Sequence, residues 1–363
     1  MKRIVSILLV IITLASLCAC GNDNYAMKYD GITLSQNEYL YWLSSYKALF
    51  LSYYLGGNDT DEAWLTQIAD NGTTVEDLLG GIANDNIKNN LVCMSIFDRL
   101  GLKLDKESLQ EVDTYVSGLT TTAGSTSALD SALSAYGVDS KLLKNIYTNE
   151  KKIEKAKTAL FDEGGELELT YSEMNDHYKK AYVRVKHIYI NSVQDFAKDD
   201  EGDLIIDSDT GTYKTRALTD EEKAEKIALA ESINAQILAG GNFDELMAEH
   251  TADTAMINYP NGYYVTTSSR LLPTALIEKA FTMNNGESAY IESEIGIHII
   301  KREPLEERGY EIEENAPFFS DFKDSIMANK LSEYLSTLTP GVTVNEDITG
   351  AFSIRTCTPN YSY

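Results

Sequence analysis

Val183-Arg184-Val185-Lys186-His187-Ile188-Tyr189-Ile190 and Gly296-Ile297-His298-Ile299-Ile300-Lys301-Arg302-Glu303 are the two stretches around which this chain is organised. Both are rich in β-branched residues and read as strands, and each carries one of the chain's four histidines. Alternate residues of a strand share a face, which groups His187 with Val183, Val185 and Tyr189, and His298 with Gly296 and Ile300. If the two strands are neighbours in one small sheet, the two histidines meet. A single strand histidine is most simply a packed core residue with a satisfied hydrogen bond. The residues between the strands therefore have to carry any functional argument.

Those residues follow a definite order. Gly241-Asn242-Phe243-Asp244-Glu245-Leu246 opens a helix that ends at His250, and Thr251-Ala252-Asp253 comes next. Then come Gly262-Tyr263-Tyr264, the stretch from Pro273 to Ala280-Phe281, and Gly286-Glu287-Ser288, before Gly296-Ile297-His298-Ile299-Ile300 closes the series. Taken together, and in this order, the pieces resemble the parvulin family of peptidyl-prolyl cis/trans isomerases over residues 182–304. The resemblance implies a small antiparallel sheet flanked by helices, and an isomerase that needs no cofactor and no metal. It implies that His187 and His298 are the family's paired histidines, bonded to each other, and that Asp253 holds the position of a Cys or Asp beside the substrate carbonyl. His187, Asp253 and His298 are then the catalytic set. The proline slot is expected from Tyr264, from Leu271 or Leu272, and from Leu276. Leucines stand there in place of the family's Met and Phe, the Pro273 to Phe281 stretch is one residue longer, and Arg270 or Leu271 replaces a Gln or Lys. A shallower slot and slower turnover are expected, and a non-catalytic holdase with a structural parvulin domain is the alternative.

Residues 191–218 are more than a strand-to-helix connection requires. The acidic runs Asp199-Asp200-Glu201-Gly202-Asp203 and Asp207-Ser208-Asp209-Thr210-Gly211 superficially suggest a calcium loop, but the spacing to a closing glutamate is wrong for an EF-hand. Leu204-Ile205-Ile206 against Thr212-Tyr213-Lys214 reads instead as a hairpin. An acid-dominated loop disfavours a phosphoserine before the proline.

At the start, Met1-Lys2-Arg3 precedes an apolar run from Ile4 to Leu17, too short to span a bilayer and shaped like a signal-peptide core. Leu17-Cys18-Ala19-Cys20 forms a bacterial lipobox, so residues 1–19 are expected to be cleaved and Cys20 lipidated, with 20–26 as a linker. The protein is then tethered to the outer face of the cell membrane. Only Cys93 and Cys357 remain, which is weak evidence for a disulfide and gives no metal spacing. A formal net charge of -25 argues against nucleic acid as a partner.

With 363 residues, 43% of them hydrophobic, the chain can bury more than one core. Residues 27–181 read as helices: Ser35-Gln36-Asn37-Glu38 and Thr73-Thr74-Val75-Glu76 are capping boxes. Tyr39, Trp42, Leu43, Tyr46, Leu49, Phe50 and Tyr53 recur at helical spacing. This aromatic stripe is either core, a client-binding surface or a homodimer interface, and the sequence leaves these open. The helix carrying Leu79, Ile82, Ile87, Leu91 and Met94 should stop at Gly101, the next near Val116, with Ser117 to Thr126 a loop. No strand-helix-strand alternation occurs there, which excludes a doubly wound solute receptor. A helix feeding Val183 is how extracytoplasmic foldases of the PrsA and SurA type enter their parvulin domain. That likeness implies an α+β chain: a helical chaperone lobe, the parvulin domain inserted, a helix within 305–340 (from Phe318 to Leu338) that completes the lobe, and a partly ordered tail, 341–363. Its partners would be unfolded or partly folded secreted proteins containing X-Pro bonds.

Overall fold

The computed structural model describes residues 25–363; the expected signal peptide and Cys20 lie outside the described residues. Two units emerge from the packing, one formed by the described residues up to Glu168 together with Ala328–Tyr363, the other by Leu169–Met327. The second unit is wider than the 182–304 expected from sequence, since it takes in a helix before and a segment after.

The first unit begins with a hairpin that the helical reading missed. Strands β1 (Tyr25–Tyr29) and β2 (Ile32–Ser35) pair antiparallel, with Met27 opposite Leu34 and Tyr29 opposite Ile32. Asp30 and Gly31 turn the chain at φ +46° and +84°, both positive, as a two-residue hairpin turn demands. A short strand, Thr343–Val344, adds to the other edge of β1. The helix Gln36–Tyr53 starts at the expected box, Ser35 with Glu38, whereas the box of Val75–Arg99 is Thr74 with Asp77, one residue later than expected. Leu79, Ile87 and Leu91 are buried while Ile82 is exposed. Tyr39, Leu43 and Phe50 are buried in the same core and Trp42 and Tyr46 pack against it, so most of the aromatic stripe faces inward. Only its Leu49 and Tyr53 are exposed.

The Ser and Thr residues expected to form a loop instead extend the helix Lys106–Ala123. Thr120 and Thr121 donate their hydroxyls to the carbonyls of Val116 and Ser117, so the side chains are satisfied within the helix, and Gly124 ends it at φ +89°. The tail is likewise packed. Buried Lys47 donates to the carbonyls of Arg355 (2.7 Å) and Cys357 (3.0 Å) and pairs with Asp59 at 2.9 Å. Asn360 N–H bonds the Ser44 carbonyl, and Arg355 reaches Glu76 and Asp61. Cys93 and Cys357 are both free thiols.

The second unit is built on an antiparallel sheet of order β6-β3-β8-β7, from β3 (Val183–Ile190), β6 (Tyr263–Val265), β7 (Ser288–Ser293) and β8 (Gly296–Glu303). Ala230, Ile233, Phe243, Leu246, Leu276, Ile277 and Ala280, from three helices, pack into one core with the sheet's Val183, Val185, Ile188, Ile297, Ile299 and Ile300. The 191–218 excursion is a long hairpin, with β4 (Gln194–Phe196) paired to β5 (Thr215–Ala217) and a further bridge from Ile206 to Tyr213. After β8, a 3-10 stretch Glu313–Phe318 precedes the helix Phe322–Leu338, so Phe318 lies before that helix and not within it. Among the described residues no helix is long and apolar enough to cross a membrane.

Candidate active site

The register between β3 and β8 brings the histidines together. His187 stands opposite Ile300, and His298 opposite Tyr189, so the two imidazoles are diagonal neighbours on one face. Their nitrogens meet, His187 Nε2 to His298 Nδ1, at 2.9 Å. Gly296 lets β8 start hard against the end of β3: at φ +145°, a Cβ there would lie 2.6 Å from the Ile190 carbonyl oxygen and 2.9 Å from the Tyr189 ring. Tyr189 stacks on His298 with ring centroids 5.1 Å apart and donates its hydroxyl to the Ile295 carbonyl at 2.6 Å.

Asp253 arrives from the segment that follows the helix Phe243–His250. β6 pairs with β3 only from Val183 to Val185, which leaves the backbone around Tyr189 open for another partner. Thr251-Ala252 takes it: Tyr189 N–H donates to Thr251 Oγ1 at 3.0 Å, and Ala252 N–H to the Tyr189 carbonyl at 2.7 Å. The next residue, Asp253, is thereby set against His187, with Oδ2 2.9 Å from Nδ1. Tyr263, on β6, donates its hydroxyl to the same carboxylate at 3.0 Å.

Charge fixes the direction of this chain of bonds. An ionised carboxylate only accepts, so His187 carries its proton on Nδ1 and accepts at Nε2 from the Nδ1–H of His298. His298 Nε2 then accepts from the Ser293 hydroxyl at 2.7 Å. Burial acts to raise the Asp253 carboxyl, but the hydrogen bonds from His187 and the Tyr263 hydroxyl outweigh it and hold the group below the usual carboxylate range. Burial pushes His298 down to about 4, so it is neutral at pH 7. Burial and the adjacent Asp253 charge raise the Tyr263 phenol, which stays a donor.

The network opens on a cleft of about 440 Å³. His187, Asp253 and His298 all line it, as do Leu271 and Leu272; Leu271 is 54% exposed and Leu272 is buried. Two residues expected in the slot are elsewhere. Tyr264 is turned to the opposite face of β6 from Tyr263, where it is buried among Tyr178, Phe319 and Phe322 and bonded to Glu306. Leu276 is fully buried in the sheet-helix core and does not line the cleft. Tyr263, Tyr259 and Phe318 supply apolar walls in their place. The period-2 rule says that only one of Tyr263 and Tyr264 reaches the cleft, and the sequence does not say which. The sequence reads Phe318 only as the start of a helix, and it lies beyond the stretch that carries the resemblance. Among the described residues no group of three or more His, Cys, Asp or Glu side chains is placed to hold a metal ion.

Comparison with known proteins places this geometry. Residues 170–304 match the family model described as the PPIC-type PPIASE domain. No curated protein matches the chain. Among solved structures, PrsA from Bacillus subtilis is similar at 16% identity, over 83% of this chain and 94% of that one, with a TM-score of 0.23. PrsA from Bacillus cereus is similar at 16% identity over 79% and 92%, with a TM-score of 0.28. A structure of SurA-like chaperones from Campylobacter jejuni is similar at 16% identity over 85% and 95%, with a TM-score of 0.20. The family match covers both histidines and Asp253, and residues 170–304 form a PPIC-type PPIase (parvulin) domain.

Proposed function

We propose that the chain is a lipid-anchored extracytoplasmic foldase that isomerises X-Pro bonds of secreted proteins as they fold. The observation that carries the isomerase part is the continuous network Tyr263–Asp253–His187–His298–Ser293, whose first four members line a largely apolar cleft. Rotation about an X-Pro amide faces a barrier of about 18–20 kcal/mol, set by the partial double bond. No covalent bond to the protein is needed, only tighter binding of the twisted state than of either planar one. In the planar amide the carbonyl oxygen carries negative charge donated by the nitrogen; in the twisted state it carries less. A carboxylate fixed beside that oxygen disfavours the planar form and so lowers the barrier. Asp253 suits that task because His187 and Tyr263 keep it ionised and immobile. Leu272, Tyr259 and Tyr263 offer the apolar surface on which a proline ring can be held while the carbonyl turns.

The lipid anchor and the extracytoplasmic setting are supported by the Leu17-Cys18-Ala19-Cys20 pattern and the apolar run before it. The clients would be unfolded or partly folded chains, to which the acidic protein is not bound by nucleic-acid-like charge attraction. A second proposal, a holdase whose parvulin domain is structural, draws on the withdrawal of Tyr264 and Leu276 from the cleft and the exposure of Leu271. Exchange spectroscopy on a panel of X-Pro peptides separates the two. Accelerated cis/trans exchange with any of them supports the isomerase; binding with no acceleration on the whole panel supports the holdase.

A further inference from the structure

The matched domain ends at residue 304, yet Pro317 and Phe318 also line the cleft. Phe318 presents its ring edge-on to Tyr259, with centroids 4.8 Å apart and planes at 64°, and lies 5.9 Å from the ring of Tyr263. Tyr263 is the residue whose hydroxyl holds Asp253, so the Phe318 ring is one aromatic neighbour away from that carboxylate. It is half-buried, with the rest of the ring free toward the cleft.

The segment is fixed on both sides of Phe318. Before it, buried Asn315 donates through Nδ2 to the Tyr264 hydroxyl (3.2 Å), to Glu306 Oε2 (3.2 Å) and to the Gly309 carbonyl (3.1 Å). Glu306 is in turn paired with Arg184 of β3 at 3.0 Å. After it, Phe319 and Phe322 are buried against Tyr178, Tyr182 and Tyr264. The two tyrosines of β6 thus divide the work: Tyr263 holds the carboxylate, and Tyr264, on the other face, holds the segment that carries Phe318.

The geometry points to Phe318 as the specificity wall of the isomerase cleft, contacting the client residue next to the proline and selecting an aromatic side chain there. This rests on the isomerase reading given above. The occupant follows from the chemistry of the walls. Tyr259, Tyr263 and Phe318 present ring faces and edges that pair favourably with another aromatic ring. The Asp253 charge behind them disfavours an acidic flanking residue.

The test uses the full chain in detergent and two short peptides, one with phenylalanine and one with alanine on either side of a central proline. Affinity is read by NMR titration and isomerisation by exchange spectroscopy. The intact protein is expected to prefer the phenylalanine peptide by about tenfold, the size of a well-placed aromatic contact. In Phe318→Ala the ratio should fall to near one. Phe318→Leu, which keeps the apolar filling and so the fold, should cut the ratio to about a third of its value if only the aromatic part is lost. Equal affinity of the intact protein for both peptides, or a preference unchanged in either variant, would overturn the assignment. Should the preference exist in binding and vanish in the variants while no peptide is isomerised, the wall stands and the isomerase reading is what fails.

Discussion

Replacing Asp253 by asparagine changes almost no volume but removes the charge that orients the whole network. Asn keeps one acceptor oxygen, whose two lone pairs can take both His187 Nδ1–H and the Tyr263 hydroxyl, and turns the other position into an NH2 donor. Either the oxygen faces His187 and both bonds persist as neutral ones, or the NH2 faces it and the chain reverses: His187 protonates Nε2 and donates to His298 Nδ1, and His298 Nε2–H donates to Ser293. In both cases a bond to a charged group, worth about 1.5–3 kcal/mol, disappears. So does the charge that disfavours the planar amide. If about 1.4–2.8 kcal/mol of this is felt in the transition state, kcat/KM falls about 10- to 100-fold. Protease-coupled turnover of an X-Pro peptide measures the loss, and imidazole 15N shifts show whether the tautomers have reversed. An Asp253→Asn protein that works within twofold of the parent, with unchanged tautomers, refutes the reasoning.

Two further outcomes follow from other groups. Burial holds His298 near 4, below its ordinary value of 6.5, so between these values the unfolded chain binds more protons than the folded one. The group leaves stability untouched above pH 6.5 and destabilises the fold as pH falls toward 4, by on the order of 3 kcal/mol at most. Calorimetry of the full chain should show that loss, and a His298→Asn variant with the same slope between pH 6.5 and 4.5 would contradict it. Lys47→Ala leaves Asp59 and two tail carbonyls without their buried cation, and should cost about 2–3 kcal/mol. Both tryptophans, Trp42 and Trp64, lie in the helical unit, so their fluorescence in urea reports that unit alone; a midpoint equal to the parent's would show that Lys47 does not tie the tail down.

The histidine pair was legible because it rests on two rules that survive without coordinates, period-2 alternation and a strand pairing that aligns two marked positions. Asp253 was legible only through the resemblance. Tyr264 was misplaced because adjacent strand residues face opposite ways, and choosing between Tyr263 and Tyr264 needs the register against Val185. The Asp30-Gly31 hairpin had a visible signal, an aspartate-glycine pair between short alternating runs, which the helical context masked. Ser117 to Thr126 reads as a loop on composition, although threonines that bond back to the preceding turn are compatible with helix. The ordered tail had no local signal at all. Its anchor, Lys47, sits within a hydrophobic helix more than three hundred residues away in sequence. Phe318 was hidden for the same reason, since its place in the cleft depends on Asn315, Glu306 and Tyr264, which no spacing rule connects.

The most direct test of the central claim compares the parent chain with a His187→Ala, His298→Ala double variant, by exchange spectroscopy on one X-Pro peptide that the parent binds. The account predicts that the parent accelerates cis/trans exchange and that the variant, still folded, loses most of that acceleration. A folded variant that isomerises the peptide at the parent's rate would contradict it.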